Sequence, residues 1–353
     1  MKLDQISTPA LVVDKKIFDK NAEEMSALLK DSTLQLRPHY KSHKCSAIAH
    51  MQMQRGAVGM TCAKLDEAID LVDSGISDVL IANQIVDEGK ILKLVHLAKL
   101  CRLTVCVDNE KNAADIERAA ALVGSTVYCL IEYEIGMERC GVSGKEKVAA
   151  LAAFIGKCPH LVFDGIQAYA GHLSHTVSFD ERAEKTRENT EKIKDLLEYL
   201  DSKGIKVRVL SGGSTGTSLI KARDGLYTEL QAGSYLFMDA TYSNLALPFK
   251  PSLFILATVV SVSDRLVVVD AGVKSCGVDQ GMPVPCSFSV SHIVASEEHL
   301  QLHDPSEKLE VGDKVLLVPA HCCSTVNLHD RIYLFEGDEV VDRLIITARG
   351  CFK

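Results

Sequence analysis

From Thr8 to Leu210 the chain alternates between short apolar runs and longer segments of helical period, and this alternation restricts the fold more than any other feature. Residues 8–14 read as a short strand ending at a helix cap. Residues 15 to about 29 read as a helix with Phe18, Met25, Leu28 and Leu29 at helical spacing. The run 34–36 alternates like a strand end. Strands are then expected at 57–61, 78–82, 102–107, 126–131, 161–166 and 207–210. Helices are expected at 45–55, 65–74, 88–100, 111–123, 145–157 and 179–203. Short connections throughout such a series imply a parallel sheet. A closed (β/α)8 barrel of the TIM type fits the count, and a doubly wound open sheet is its structural rival. After about residue 240 strand-like runs take over, at 254–262, 266–269, 288–294, 314–318, 331–335 and 340–346. Turn signals such as Ser263-Asp264 and Glu336-Gly337-Asp338 separate them. The expected organisation is a barrel at 11–240 and an all-β domain at 241–353.

Composition excludes several classes of partner. The formal net charge is −8 and no long basic stripe exists, so nucleic acid is not an expected partner. No run approaches the roughly 18 apolar residues of a membrane span, and Met1–Gln5 begins no apolar leader. The 12 cysteines are scattered and include no CxxC pair, which reads as reduced thiols in a cytoplasmic protein.

Three stretches carry chemistry. Arg37-Pro38-His39-Tyr40-Lys41-Ser42-His43-Lys44 packs two lysines, two histidines and an arginine into eight residues at a strand-to-helix junction. The default for such a run is a solvated basic loop; at a strand end its lysine can instead face a cleft as an amine nucleophile. Ser211-Gly212-Gly213-Ser214-Thr215-Gly216-Thr217 lets backbone amides approach an anion and adds hydroxyl donors. It has no Walker A lysine, which argues against a nucleoside triphosphate. His321 and Cys323 are two apart, and on a strand both would face one side. An imidazole and a thiolate suit zinc, and two protein ligands leave positions open for water and substrate.

These stretches, with Gly136-Met137-Glu138-Arg139-Cys140-Gly141, Gln167-Ala168-Tyr169-Ala170-Gly171-His172 and the segment from Glu229 to Asp239, resemble motifs of the fold-type III pyridoxal-phosphate enzymes. The similarity is to the branch holding D-threonine aldolase and D-serine dehydratase, and it covers nearly the whole chain. It implies an alanine racemase-like fold in which residues 1 to about 10 join the β domain. It further implies that Lys41 forms the Schiff base with pyridoxal 5'-phosphate and that Arg139 lies near the cofactor's phenolate oxygen. Tyr169 would reach the ring or substrate, and His172 and His175 are candidate proton carriers. Ser214, Thr215, Gly216, Gly233, Ser234 and Tyr235 would surround the phosphate. His321 and Cys323 would hold a divalent metal, zinc or manganese. Asp270-Ala271-Gly272-Val273-Lys274 and Asp279-Gln280-Gly281 match a family pattern with only a turn or interface role. Glu132 and Glu134 stand where relatives often carry Asp.

The implied activity is a lyase acting on small β-hydroxy D-amino acids, with a head-to-tail homodimer as the working form. The leading reading is D-threonine aldolase-type cleavage to glycine and an aldehyde. The alternative is a D-serine or 3-hydroxy-D-aspartate dehydratase giving a 2-oxo acid and ammonia. The cues divide: Gln231–Tyr235 and Thr325–Leu328 resemble the aldolases, whereas Cys at the second ligand position resembles the zinc-dependent dehydratases. A racemase of this fold needs a second base and no metal. A non-catalytic cofactor-binding protein of this kind lacks the β domain.

Overall fold

The structure, a computed structural model, describes all 353 residues. It contains two compact units: Met1–Met25 with Ser42–Ala47 and Ser234–Gly350, and Ser26–Lys41 with Ile48–Gly233 and Cys351–Lys353. No helix is long and apolar enough to cross a membrane.

In chain order β1 (Ala10–Asp14) and α1 (Lys15–Leu29) come first. Eight strands follow: β2 (Gln35–Leu36), β3 (Met60–Cys62), β4 (Asp78–Ile81), β5 (Arg102–Val107), β6 (Val127–Glu132), β7 (Leu161–Ala168), β8 (Val209–Gly212) and β9 (Glu229–Leu230). Between them lie α2 (Ser46–Gln54), α3 (Leu65–Asp73), α4 (Glu88–Leu97), α5 (Glu110–Val123), α6 (Lys145–Ile155), α7 (Phe179–Ser202) and α8 (Ser218–Asp224). The strands are all parallel in the order β2-β9-β8-β7-β6-β5-β4-β3. The two ends of that order also meet. Val58 N donates to Leu36 O and Thr61 N to Pro38 O, both at 2.9 Å, and His39 bridges Thr61 in the parallel sense. The sheet is therefore closed, and the doubly wound alternative is excluded.

The strands are apolar on both faces because a barrel buries both. Val79, Leu80, Ile81, Leu103, Val105, Cys106 and Val107 are all fully or almost fully buried. Each such aliphatic side chain contributes on the order of 1.5–3 kcal/mol. Side chains cap the helices at their starts: Asp87 accepts from Lys90 N and Asn109 from Asn112 N. A bulge in β7 leaves Asp164 outside the register with β6 and turns its carboxylate onto Arg102 and Arg208. Just beyond it, a Cβ on Gly165 would collide with the Val209 carbonyl, so only glycine lets β7 and β8 approach.

The other unit is built on an antiparallel sheet. β1 pairs with β10 (Leu253–Ser263), and β10 continues to β11 (Leu266–Val269). The remaining strands are β12 (Val284–Pro285), β13 (His292–Ala295), β14 (Leu300–His303), β15 (Lys314–Val318), β16 (Arg331–Glu336) and β17 (Glu339–Ile345). β1 runs parallel to β16, the one parallel contact in this sheet. Ile6, Ala10, Val12, Phe254, Leu256, Val318 and Phe335 form one of its buried clusters. This unit takes in the N-terminus well beyond residue 10, because β1 is one of its central strands.

Candidate active site

The basic stretch is not a solvated loop. Arg37, His39, His43 and Lys44 are buried, and among residues 37–44 only Lys41 is partly open. Burying so many cations requires partners. Arg37 donates from Nε and Nη2 to Glu229 at 2.9 and 2.8 Å and from Nη1 to Asp78 at 2.7 Å. Burial alone would lower its pKa; Glu229 and then Asp78 outweigh that and raise it. Tyr40 hydrogen-bonds Asp70 and fixes the 3₁₀ turn Tyr40–Ser42 that presents Lys41.

Lys41 lines a cavity with His39, Ala63, Ala82, Asn83, Arg139, Cys140, Gln167, Tyr169 and Gln231. Each follows, or nearly completes, a barrel strand, so the cavity lies at the strands' C-terminal ends. Gln231 Nε2 donates to Gln167 Oε1 at 3.0 Å and Ser211 Oγ at 2.9 Å, tying β7, β8 and β9 together. The Arg139 guanidinium lies 5.7 Å from the Tyr169 ring centre and 3.5 Å from Glu132. Glu132 is buried and also accepts from Gln84 Nε2 at 2.6 Å. Neither Gln84 nor Glu132 has a role legible from sequence alone; Glu132 ends β6 and Gln84 follows β4, so a polar residue at a strand end is the available signal. Gly171 is a glycine because a Cβ there would collide with the Tyr169 ring. His172 is exposed and sits against Gly136, where a Cβ would lie 3.2 Å from its ring. Lys41, Arg139 and Tyr169 thus share one cavity, and His172 does not line it.

The 211–217 loop leaves β8 and enters α8, a helix with no clear apolar period in sequence. Gly213 takes φ +73°, and a Cβ on Gly212 or Gly216 would collide with the Ala168 or Ser174 carbonyl. Ser214 Oγ accepts from Ser174 Oγ at 2.8 Å, whereas the buried Thr215 Oγ1 has no partner in the protein. A hydroxyl of that kind, in a loop whose glycines exclude side chains, fits a phosphate oxygen. Gly233 and Ser234 close the segment after β9. Tyr235 is buried with its ring edge-on to Phe249 at 5.9 Å.

His321 and Cys323 do not lie on a strand. His321 is the N-cap of a short helix, α10 (Cys322–Val326), preceded in the chain by α9 (Ala240–Ser243). The buried Asp239 carboxylate explains the difference: it accepts from Cys322 N at 3.0 Å and from Tyr242 N at 2.9 Å, turning the chain there. Burial raises the pKa of Asp239, with the two amides opposing it. His321 and Cys323 still hydrogen-bond each other. Burial alone would push the His321 imidazole down; Cys323 and Asp279 lift it to about 9. Asp279, assigned only a turn from sequence, accepts from His321 Nδ1 at 2.6 Å and also holds Ser324 Oγ. That leaves Nε2 for a metal, the usual arrangement of a carboxylate-oriented histidine ligand. No cluster of three or more His, Cys, Asp or Glu side chains is arranged to hold an ion, so one imidazole and one thiolate are all that His321 and Cys323 could offer a metal. Their donor chemistry fits zinc.

A lysine, an arginine and a glycine-rich anion loop at the C-terminal mouth of a barrel, with a separate antiparallel unit, define the alanine racemase class of fold. Residues 13–241 match the model for the alanine racemase N-terminal domain, and residues 252–335 match that for a putative serine dehydratase domain. The chain belongs to this fold-type III pyridoxal-phosphate family. It is 37% identical to a D-threonine aldolase of Arthrobacter sp, covering 99% of this chain and 94% of that protein. It is 36% identical to a 3-hydroxy-D-aspartate aldolase of Paracoccus denitrificans (strain Pd 1222), with the same coverages. The solved D-threonine aldolase of Filomicrobium marinum superposes with a TM-score of 0.97 at 36% identity, covering 100% of this chain and 98% of that one.

Proposed function

We propose that this protein is a pyridoxal-phosphate- and metal-dependent lyase that cleaves β-hydroxy D-amino acids, D-threonine among them, to glycine and an aldehyde. The observation that carries the reading is the single cavity shared by Lys41, Arg139 and Tyr169 at the strand ends. Lys41 would hold the cofactor through its amine, and Ser214, Thr215, Gly216, Gly233 and Ser234 would hold its phosphate. When bound, the cofactor supplies the electron sink for the carbanion left as Cα–Cβ breaks. Arg139 keeps a positive charge at the cavity wall, oriented by Glu132. Tyr169, fixed over Gly171, orients the bound substrate. His172 lies outside this cavity, so it would take the proton of the substrate's β-hydroxyl only through a bridging water as the aldehyde carbonyl forms. His321 and Cys323, with Asp279 fixing the imidazole, would hold a divalent metal whose Lewis acidity polarises the substrate oxygen. The working form is proposed to be a cytoplasmic homodimer.

The thiolate ligand keeps one second reading open, a D-serine-type dehydratase, in which Lys41 takes the α-proton and hydroxide leaves. Incubation with D-threonine and D-serine in parallel, with zinc or manganese, decides between them. Glycine with acetaldehyde from D-threonine is the expected result. Pyruvate from D-serine as the main product would overturn the aldolase reading in favour of the dehydratase. No product, together with no visible absorbance dependent on Lys41, would sink the cofactor assignment itself.

A further inference from the structure

We infer that Lys221 is a second-layer cation of the anion cradle, holding a positive charge behind Gly212–Thr217 that favours a bound phosphate without touching it. The inference rests on the reading of that loop as the phosphate site. Lys221 is 5% exposed, and lysines are buried this deeply only with partners. Its Nζ donates to Thr190 Oγ1 of α7 at 3.1 Å and pairs with Asp224 at 3.0 Å. The ammonium also lies 4.1 Å from the centre of the Tyr227 ring.

Two contacts join this group to the loop. A Cβ on Gly213 would lie 3.5 Å from Lys221 Cγ, and one on Gly212 would lie 2.8 Å from the Tyr227 ring. The ammonium is thus separated from Gly212 by little more than an aromatic ring. Tyr227 is itself fixed, donating to Ala168 O at 2.9 Å at the end of β7. Lys221, Tyr227, Thr217 and Gly213 line one small cavity with Thr186 and Asn189.

The cradle carries no such charge of its own. Residues 211–217 contain no lysine or arginine, so the loop offers a phosphate dianion only hydroxyls and amides. In α8, Arg223 is exposed, which leaves Lys221 as the buried cation. Away from water its field is weakly screened. Asp224 offsets part of it; burial lowers the Lys221 pKa below its ordinary value, with Asp224 opposing that shift.

The test compares two ligands on the cofactor-free chain: pyridoxal 5'-phosphate, and pyridoxal, which has the same aldehyde and ring without the phosphate. Binding is followed by the absorbance change. Lys221→Met is expected to raise the Kd for pyridoxal phosphate by about five- to tenfold and that for pyridoxal by less than about twofold. Asp224→Asn, which leaves the cation and removes its counter-charge, is expected to hold or tighten pyridoxal phosphate binding. A purely structural ion pair would instead make both variants lose both ligands together, and that result would overturn the inference. If Lys221→Met does not fold, the direction of the Asp224→Asn change still decides. Thr215→Val separates the two levels of the argument. If it weakens pyridoxal phosphate selectively and Lys221→Met does not, the second-layer cation is wrong. If it is not selective either, the phosphate reading of the loop falls as well.

Discussion

The two ends of the barrel use the same residue types in opposite ways. In one layer of the barrel, level with the starts of β4, β5, β8 and β9, charge is matched pair by pair in an alternating line: Glu229, Arg37, Asp78, Arg102, Asp164, Arg208. Arg37 grips Glu229 with two nitrogens, and Arg102 lies 3.6 Å from the Tyr128 ring centre besides its two carboxylates. At the strand ends the polar groups are left with capacity to spare. Lys41 opens into a cavity, and Thr215 Oγ1 has no protein partner. Satisfied polar groups hold a fold together, whereas groups with open valences are available to a ligand. A (β/α)8 barrel separates the two by the direction of its strands.

The largest expected effect tests that separation at the open end. Lys41→Ala should lower lyase activity by about a thousandfold or more, since the nucleophilic amine has no substitute in the cavity. The thermal midpoint should move by no more than about 2 °C. A variant that loses activity only in proportion to lost folded protein would mean that Lys41 belongs to the structural set. The converse experiment is Arg37→Met. It strands Glu229 as a buried carboxylate and leaves Asp78 to Arg102 alone, and removal of one member of a buried pair costs about 3–5 kcal/mol. Urea unfolding should show that loss, while kcat of the remaining folded enzyme stays within about twofold. A large fall in kcat with unchanged stability would erase the proposed division between the two ends.

A smaller effect is expected outside the barrel, where the proposed ligands His321 and Cys323 offer a contrast in donor type. Cys323→Asp replaces a soft donor with a hard one, so the metal supporting the highest activity should move from zinc towards manganese. The measurement is activity after chelation and re-addition of each ion. An unchanged preference would show that Cys323 is not a ligand.

The two ends were not equally legible in the sequence. At the open end Lys41, Tyr169 and the 211–217 loop were legible because each sits just past an apolar run, and strand-end position is a local property. The matched end was not: Arg37 lies 41 residues from Asp78 and 192 from Glu229. No local pattern links them, and a basic run such as 37–44 fits a solvated loop as well as a buried ion network. β9 escaped notice because two residues carry no period, although Glu229 and Leu230 close the barrel against β2. At Cys322–Val326 local preference pointed the wrong way. Thr and Val favour strands, but the Asp239 carboxylate, 83 residues earlier, captures the Cys322 amide and starts a helix. Asp279 was missed for a related reason, since its partner His321 is 42 residues away.

The smallest expected effect concerns a carboxylate at the open end that is matched by backbone rather than by a cation. Glu134 accepts from Gly136 N at 2.7 Å and Glu138 N at 2.9 Å, pinning the loop that carries Arg139. Partial burial would raise its pKa, but the amides of Glu138, Gly136 and Met137, with His172 nearby, lower it below the ordinary value. A carboxylate whose folded pKa is depressed stabilises above its unfolded pKa, and the contribution is lost as pH falls through the folded value. The loop should therefore hold at neutral pH and loosen only below the ordinary glutamate range, about 4.3. Hydrogen exchange at Gly136 and Glu138, corrected for intrinsic rates, should show a step of that kind in acid. Glu134→Gln should remove the step and leave the ion line at the strand starts unaffected. A step that survives the substitution would have to come from another carboxylate, and the loop would then owe its order to something other than Glu134.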